Sequence, residues 1–202
     1  MTNKELATYW YNWGLEHHEP CCGYGSTIEG ASDAKKFIEN MLEKYQLWKI
    51  LDCGCGYYGN WTKDLKMLPN QVYIGLDINE EVINRNNQEF PGMEFHCRDF
   101  VNEKLPRFKA IICRDVLFHL PNEFVIKALS NFKESGTTYL IATTFPQVTK
   151  NIDLPTDYIG SVEKEYGYRD INLEIEPFNL GEPLEFVDET KWTRRVAIWK
   201  IN

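Results

Sequence analysis

Three acidic residues stand where β-branched or aromatic runs end. Asp52 follows Ile50 and Leu51, Asp77 closes the run QVYIGLD, and Asp99 lies just beyond GMEFHC. Between the first two sits Cys53-Gly54-Cys55-Gly56, a turn that offers two chemistries. Cysteines one residue apart are candidate metal thiolates, whereas alternating glycines remove side chains where the chain turns and a ligand can approach the backbone. A structural zinc site draws on four ligands, often as two pairs. The nearest second pair, Cys21-Cys22, is adjacent in sequence and has no matching histidine spacing, although His17 and His18 lie close by. The glycine reading explains more. No metal site is predicted, and a divalent ion on Asp115 with another carboxylate stays open.

A dinucleotide loop sets a pyrophosphate at a helix N-terminus. Asp52, directly before the turn, opposes such an anion and suits a ligand with cationic groups and no phosphate. S-adenosylmethionine, with its amino group and sulfonium, meets that description. Asp77 is placed to accept hydrogen bonds from both ribose hydroxyls, and Asp99 to meet the adenine edge. For any one of the three, helix capping is an equally good explanation. In this order they favour an adenosyl ligand, with Gly54 and Gly56 making room for it.

Asp115 and His119 follow a fourth apolar run, KAIICRD. If a helical turn joins them, their i, i+4 spacing puts both on one face, as a base with an orienting carboxylate. The competing reading makes Asp115 a brace for the turn and packs His119 under the next helix. Arg114 either binds a carboxylate or pairs with a neighbouring acid.

These residues need a scaffold of alternating elements. A helix is predicted from Ser32, which can cap it, with Phe37, Ile38, Met41, Leu42 and Tyr45 on one face. A second helix follows Asp77, burying Val82, Ile83 and Phe90. A third begins near Pro121, with Val125, Ala128, Leu129 and Phe132 at helical spacing. WKILD, QVYIGLD, GMEFHC, KAIICRD and TTYLIATTF are strands. Alternation at this spacing predicts an α/β fold with a mostly parallel sheet covered on both faces. PLEFV and TRRVAIWKI are expected to add an antiparallel hairpin at its edge. Residues 147–182 show no period and read as a long loop that can serve as a lid.

At 202 residues and 43% hydrophobic, the chain suits one domain. Its parts are an N-terminal helical region (1–45), a cofactor-binding core (46–146) and a substrate loop with edge strands (147–202). No stretch approaches the run of about 20 apolar residues a membrane helix needs, and no secretory start is visible, so a soluble cytoplasmic protein is expected. The six cysteines then read mostly as free thiols. A net charge of −8 disfavours strong nucleic-acid binding, which requires clustered Lys and Arg.

The chain resembles class I S-adenosylmethionine-dependent methyltransferases, through ILDCGCG, YIGLDI, CRDF and AIICRDVLFHL. More narrowly it is similar to a small, mostly uncharacterised bacterial and viral group sharing GYGSTIEGA, CRDVLFHLP, TTYLIATTFP and NLEIEPFNL, over about Gly23 to Phe186. The turn CGYYGNW is one residue longer than is usual there, which leaves open which of Tyr57, Tyr58 and Gly59 faces the cofactor. The resemblance implies a Rossmann-like seven-stranded fold and adds Ile78, Phe100, Cys113 and Arg114 to the cofactor-binding residues. Motifs of DNA base methylation are missing: CRDVLF stands where Asp- or Asn-Pro-Pro-aromatic or Pro-Cys would, and YLIATTF lacks the lysine of ribose methylation. The expected acceptor is a small molecule or glycan, with Trp10, Trp13, His17, His18, Tyr158, Tyr166, Tyr168 and Phe178 able to cover a sugar ring, although for most of these aromatics the ordinary expectation is that they fill the joint between N-terminal helix and sheet. The expected reaction is O-methylation of a sugar, such as a deoxyhexose, with Asp115 and His119 as candidate base. Alternatives are another small molecule or RNA, a silent S-adenosylmethionine-binding regulator, and a metal-thiolate module.

Overall fold

The computed structural model describes residues 4, 5, 8, 12, 23–154 and 169–202. Trp10, Trp13, His17, His18, Cys21, Cys22, Tyr158, Tyr166 and Tyr168 lie outside them, and with them most of the proposed sugar-covering aromatics.

Five strands make up the first part of the sheet, β1 (Lys49–Cys53), β2 (Val72–Asp77), β3 (Glu94–Cys97), β4 (Ala110–Cys113) and β5 (Tyr139–Thr144), with α-helices before β1, between β2 and β3, and between β4 and β5. β6 (Glu185–Asp188) and β7 (Arg195–Lys200) complete a seven-stranded sheet in the order β3-β2-β1-β4-β5-β7-β6. The first five strands pair in parallel, and β7 runs antiparallel to both β5 and β6, which confirms the edge hairpin. The order reverses at β1 and β4, and α/β sheets bind ligands beyond the C-terminal ends of strands at such a point.

Both faces of the sheet are covered. On one, α1 (Ser32–Lys44) buries Phe37, Ile38, Met41 and Leu42 with Val82 and Ile83 of α2 (Glu80–Glu89) against Ile50, Ile112, Ile141 and Ile198. On the other, α3 (Asn122–Glu134) sets Val125, Ala128, Leu129 and Phe132 against Leu51, Ile111, Leu140 and Trp199. Consecutive strand residues thus enter opposite cores, as the period of two requires.

Three helix-end expectations change. Ser32 does not cap α1: it is the first helical residue, and Ala31 holds the N-cap position without a side-chain bond. Tyr45 and Phe90 sit at C-cap positions, just past the faces they were expected to extend. α2 is capped by Asn79, whose side chain accepts from the amides of Glu81 and Val82.

The described parts of 147–182 hold no helix or strand, as expected, yet they are firmly packed. Ile171 and Leu173 are fully buried, Phe178 nearly so, and Asn172 bonds the Val148 carbonyl. Phe178 therefore fills the core and does not face an open acceptor space. No helix among the described residues is long and apolar enough to cross a membrane.

Candidate cofactor and acceptor site

The turn after β1 is built by its glycines. Gly54 and Gly56 have φ of 79° and 56°, the left-handed region that side chains disfavour. A Cβ on Gly54 would lie 2.5 Å from Cγ2 of Val116, so its absence lets the loop after β4 close onto the turn. The amides of Gly54 and Cys55 both donate to the Leu76 carbonyl. Cys53 and Cys55 point into the core, and burial pushes both thiols well above their usual range, away from the thiolate a metal needs. Among the described residues no group of three or more His, Cys, Asp or Glu could hold a metal ion.

No α-helix follows this turn; only the short 3-10 segment Thr62–Asp64 lies between β1 and β2. A pyrophosphate would find no helix N-terminus there. Instead the turn is tied down by Asn86 of α2, whose buried amide donates to the Gly56 carbonyl at 2.8 Å and accepts from the Tyr58 amide at 3.0 Å. Sequence reading missed Asn86, although a polar residue four positions after Val82, on the buried face of a helix, was the signal. In the long turn, Tyr58 packs among Tyr73, Phe90 and Phe95. The Tyr57 ring lies under Arg85 at 3.8 Å and fills the space over Gly59.

The carboxylates differ in their surroundings. Asp52 is 4% exposed and accepts from the Tyr73 hydroxyl at 2.7 Å. Burial, with the Asp77 charge nearby, pushes its carboxyl up to about 7 despite that bond. Asp77 accepts from the amides of Gly56 at 3.0 Å and Asn79 at 2.9 Å, and burial raises it as well. Ile78 beside it is half-buried. Asp99 closes its own turn, accepting from the amides of Val101 and Asn102 and from the Asn102 side chain. Its neighbour Phe100 is buried, stacked on Phe132 at 5.8 Å.

Beyond β4 the chain departs from the expected helical turn. Asp115 has φ of 58°, and only the 3-10 segment Leu117–His119 follows. The i, i+4 face that would set Asp115 beside His119 therefore does not form. The cause is tertiary: the Asp115 amide donates to Thr143 Oγ1 at 2.9 Å, and that hydroxyl donates back to Asp115 Oδ1 at 2.8 Å. Asp115 Oδ2 faces Arg114 Nη1 at 3.0 Å and Arg194 Nη2 at 2.8 Å. Arg114 resolves to the pairing alternative, since its Nη2 meets buried Glu189 at 2.8 Å. Cys113 is buried in the β4 strand, with its thiol pushed up by the same burial. His119 is partly buried against Phe118, and burial lowers its imidazole to about 3, so it is neutral near pH 7. Arg169 clasps this loop, donating to the carbonyls of Phe118 and Leu120.

Residues 50–135 match the family model of a methyltransferase domain. An uncharacterized protein of Rickettsia prowazekii (strain Madrid E) is 26% identical over 109 residues, 48% of this chain but only 20% of that protein's length. Magnesium protoporphyrin IX methyltransferase from Synechocystis PCC 6803 with bound SAH superposes with a TM-score of 0.69 at 15% identity, covering 98% of both chains. An S-adenosylmethionine-dependent methyltransferase from Clostridium acetobutylicum gives 0.59 at 17% identity, covering 88% of this chain and 95% of the other. Residues 50–135 are thus similar to a methyltransferase domain, and the chain as a whole has the Rossmann-like fold of class I methyltransferases.

Proposed function

We propose that the chain transfers the methyl group of S-adenosylmethionine to a hydroxyl of a sugar or glycan. The donor fits the residues present. The turn at Gly54 and Gly56 carries no side chains at those positions, no α-helix N-terminus lies at that turn to recruit a phosphate, and the strand tips carry acids. Asp77 would hold the ribose hydroxyls, since a carboxylate accepts about four hydrogen bonds and backbone amides take only part of that capacity. Asp99, Ile78 and Phe100 would border the adenine, and Asp52 would lie toward the cationic end with Gly54, Cys113 and Arg114. When bound, the donor supplies a methyl group already activated on a sulfonium.

One observation carries the choice of acceptor: the cations around His119 are engaged. Arg114 and Arg194 face Asp115 and Glu189, and Arg169 binds loop carbonyls. An anionic acceptor gains little there, whereas a neutral hydroxyl can donate to the neutral His119 imidazole. That imidazole is a weak base, but the hydroxyl proton grows acidic as the oxygen takes on the methyl group. A modest acceptor held in line therefore suffices. Asp115, its oxygens shared among two guanidinium groups and the Thr143 hydroxyl, acts as the anchor of this loop.

Methyl-labelled donor incubated with deoxyhexoses such as rhamnose, other sugars, peptides and oligonucleotides tests the proposal. Label is expected in a sugar; label confined to oligonucleotides would end it. His119→Gln should bind the donor as before and lose most transfer, and transfer at the parental rate would exclude His119 as the proton acceptor.

A further inference from the structure

Four charged side chains close a ring at the acceptor side. Glu189 Oε1 meets Arg114 Nη2 at 2.8 Å and its Oε2 meets Arg194 Nε at 2.6 Å; both guanidinium groups then converge on Asp115 Oδ2. The Glu189 side chain is 1% exposed, and that of Arg114 3%. The ring joins three segments remote in sequence, because Arg114 Nη1 also donates to the Gly25 carbonyl at 3.0 Å. Gly25 itself sits so close that a Cβ there would be 3.2 Å from Asp115 Oδ2 and 3.1 Å from Arg194 Nη2.

We infer that Glu189 and Arg194 are positioning residues for the acceptor side, acting through Asp115 on the Leu117–His119 turn. This rests on the methyltransferase reading above. Asp115 holds a left-handed backbone conformation, which persists in a non-glycine residue only where its surroundings over-determine it. Thr143 fixes the amide and one carboxylate oxygen. The other oxygen is fixed only by the two guanidinium groups, and Glu189 is the acid that holds both of them from the opposite side. A buried ion pair is weak evidence for stability compared with apolar packing of the same volume, and what it supplies best is direction. Here the direction is that of the loop bearing His119, whose ring lies within the electrostatic reach of both Asp115 and Arg194.

The test is Glu189→Gln, which keeps the shape and removes the charge, alongside Glu189→Asp and the charge-balanced Glu189→Gln/Arg194→Gln pair. Histidine-labelled protein is followed by NMR through a pH titration, with His119→Gln assigning the resonance. In Glu189→Gln the His119 signal and its titration are expected to move while exposed His96 does not. Donor-product affinity by calorimetry should fall less than transfer does, because Glu189 reaches the donor side only through Arg114. Transfer to any acceptor found should fall about tenfold or more, as misplaced reacting groups do. Glu189→Asp should recover part of the effect, whereas the Glu189→Gln/Arg194→Gln pair, which removes both positioning residues, should not. Unchanged His119 signals in folded Glu189→Gln would overturn the inference, as would a loss of donor-product binding equal to the loss of transfer. If Glu189→Gln fails to fold, the same readouts on the other two variants decide: parental His119 behaviour in both overturns it. Absence of methyl transfer from the parental protein, with the His119 signal still moved by Glu189→Gln, would refute the functional reading and leave the positioning role standing.

Discussion

The two halves of the candidate site handle buried charge in opposite ways. At the tips of β1 and β2, Asp52 and Asp77 accept from hydroxyl and amide donors and form no ion pair among the described residues; the Arg114 charge reaches Asp52 only weakly, and burial raises both. Beyond β4, Asp115 and Glu189 are matched by Arg114 and Arg194, and the base candidate is held neutral. Under the proposed function, Asp52 would meet the charge of a ligand and Asp77 its ribose hydroxyls. The second half has balanced its own charges and uses them to set geometry.

Removing one member of the balanced half should therefore cost most. Arg114→Met leaves Glu189 and Asp115 with Arg194 alone. Breaking a buried pair in this way costs about 3–5 kcal/mol, and in a chain of this size the melting temperature should fall by roughly 10 °C. Asp77→Asn, in the other half, should barely change melting and instead weaken donor binding. Equal melting losses from both variants would erase the contrast.

Gly54 lies between the halves, where Val116 of the loop after β4 closes onto the turn after β1. Gly54→Ala forces a side chain into a left-handed position and onto Val116, a combined cost of about 2–4 kcal/mol. Val116→Ala in the same chain should return the steric part. Gly92→Ala meets nothing within 4 Å and serves as the neutral comparison. Thermal denaturation and donor-product calorimetry read both effects, and parental behaviour of Gly54→Ala would show that the turn tolerates a side chain.

The same division explains what was legible in the sequence. Asp52, Gly54, Gly56 and Asp77 are set by local order: strand, turn, strand, with the acids at predictable ends. The mostly parallel sheet follows from the order of its runs, and the edge hairpin from the two late apolar runs. The acceptor half was not legible in this way. Glu189 and Arg194 read as ordinary surface charges until the hairpin folds back 75 residues from Arg114. The Asp115–His119 spacing looked helical because nothing nearby in sequence announces the Thr143 hydroxyl that turns Asp115 into the left-handed region. Ile171 and Leu173 have no period because their burial comes from capping a core made by other elements.

Opposite electrostatics should appear as opposite pH slopes. Asp52 keeps its proton in the fold up to about pH 7, whereas its carboxyl ordinarily ionises at 3.8, so its contribution to stability falls as pH rises through that window. His119 is neutral in the fold down to about pH 3 and ordinarily protonates at 6.5, so its contribution falls as pH drops below 6.5. Between pH 4 and 6, Asp52→Asn should make the rise of melting temperature with pH steeper, and His119→Gln should flatten it. A tenfold change in a protonation equilibrium corresponds to about 1.4 kcal/mol, and a tilt of even half that size is measurable. Tilts of the same sign would contradict the division between the halves.

The smallest effect tests the cofactor half alone. A sulfonium near Asp52 favours its ionised form, so binding S-adenosylmethionine below pH 7 must expel a proton, and affinity rises with pH until the donor-free carboxyl is itself ionised. S-adenosylhomocysteine has the same amino group but a neutral sulfur, and feels this less. The ratio of donor to product affinity should therefore climb several-fold between about pH 6 and 8, within the tenfold per pH unit that one proton allows. In Asp52→Asn the ratio should be flat. Calorimetry in two buffers of different ionisation enthalpy would count the released proton directly, and a flat ratio in the parental protein would mean that the donor's positive charge does not reach Asp52.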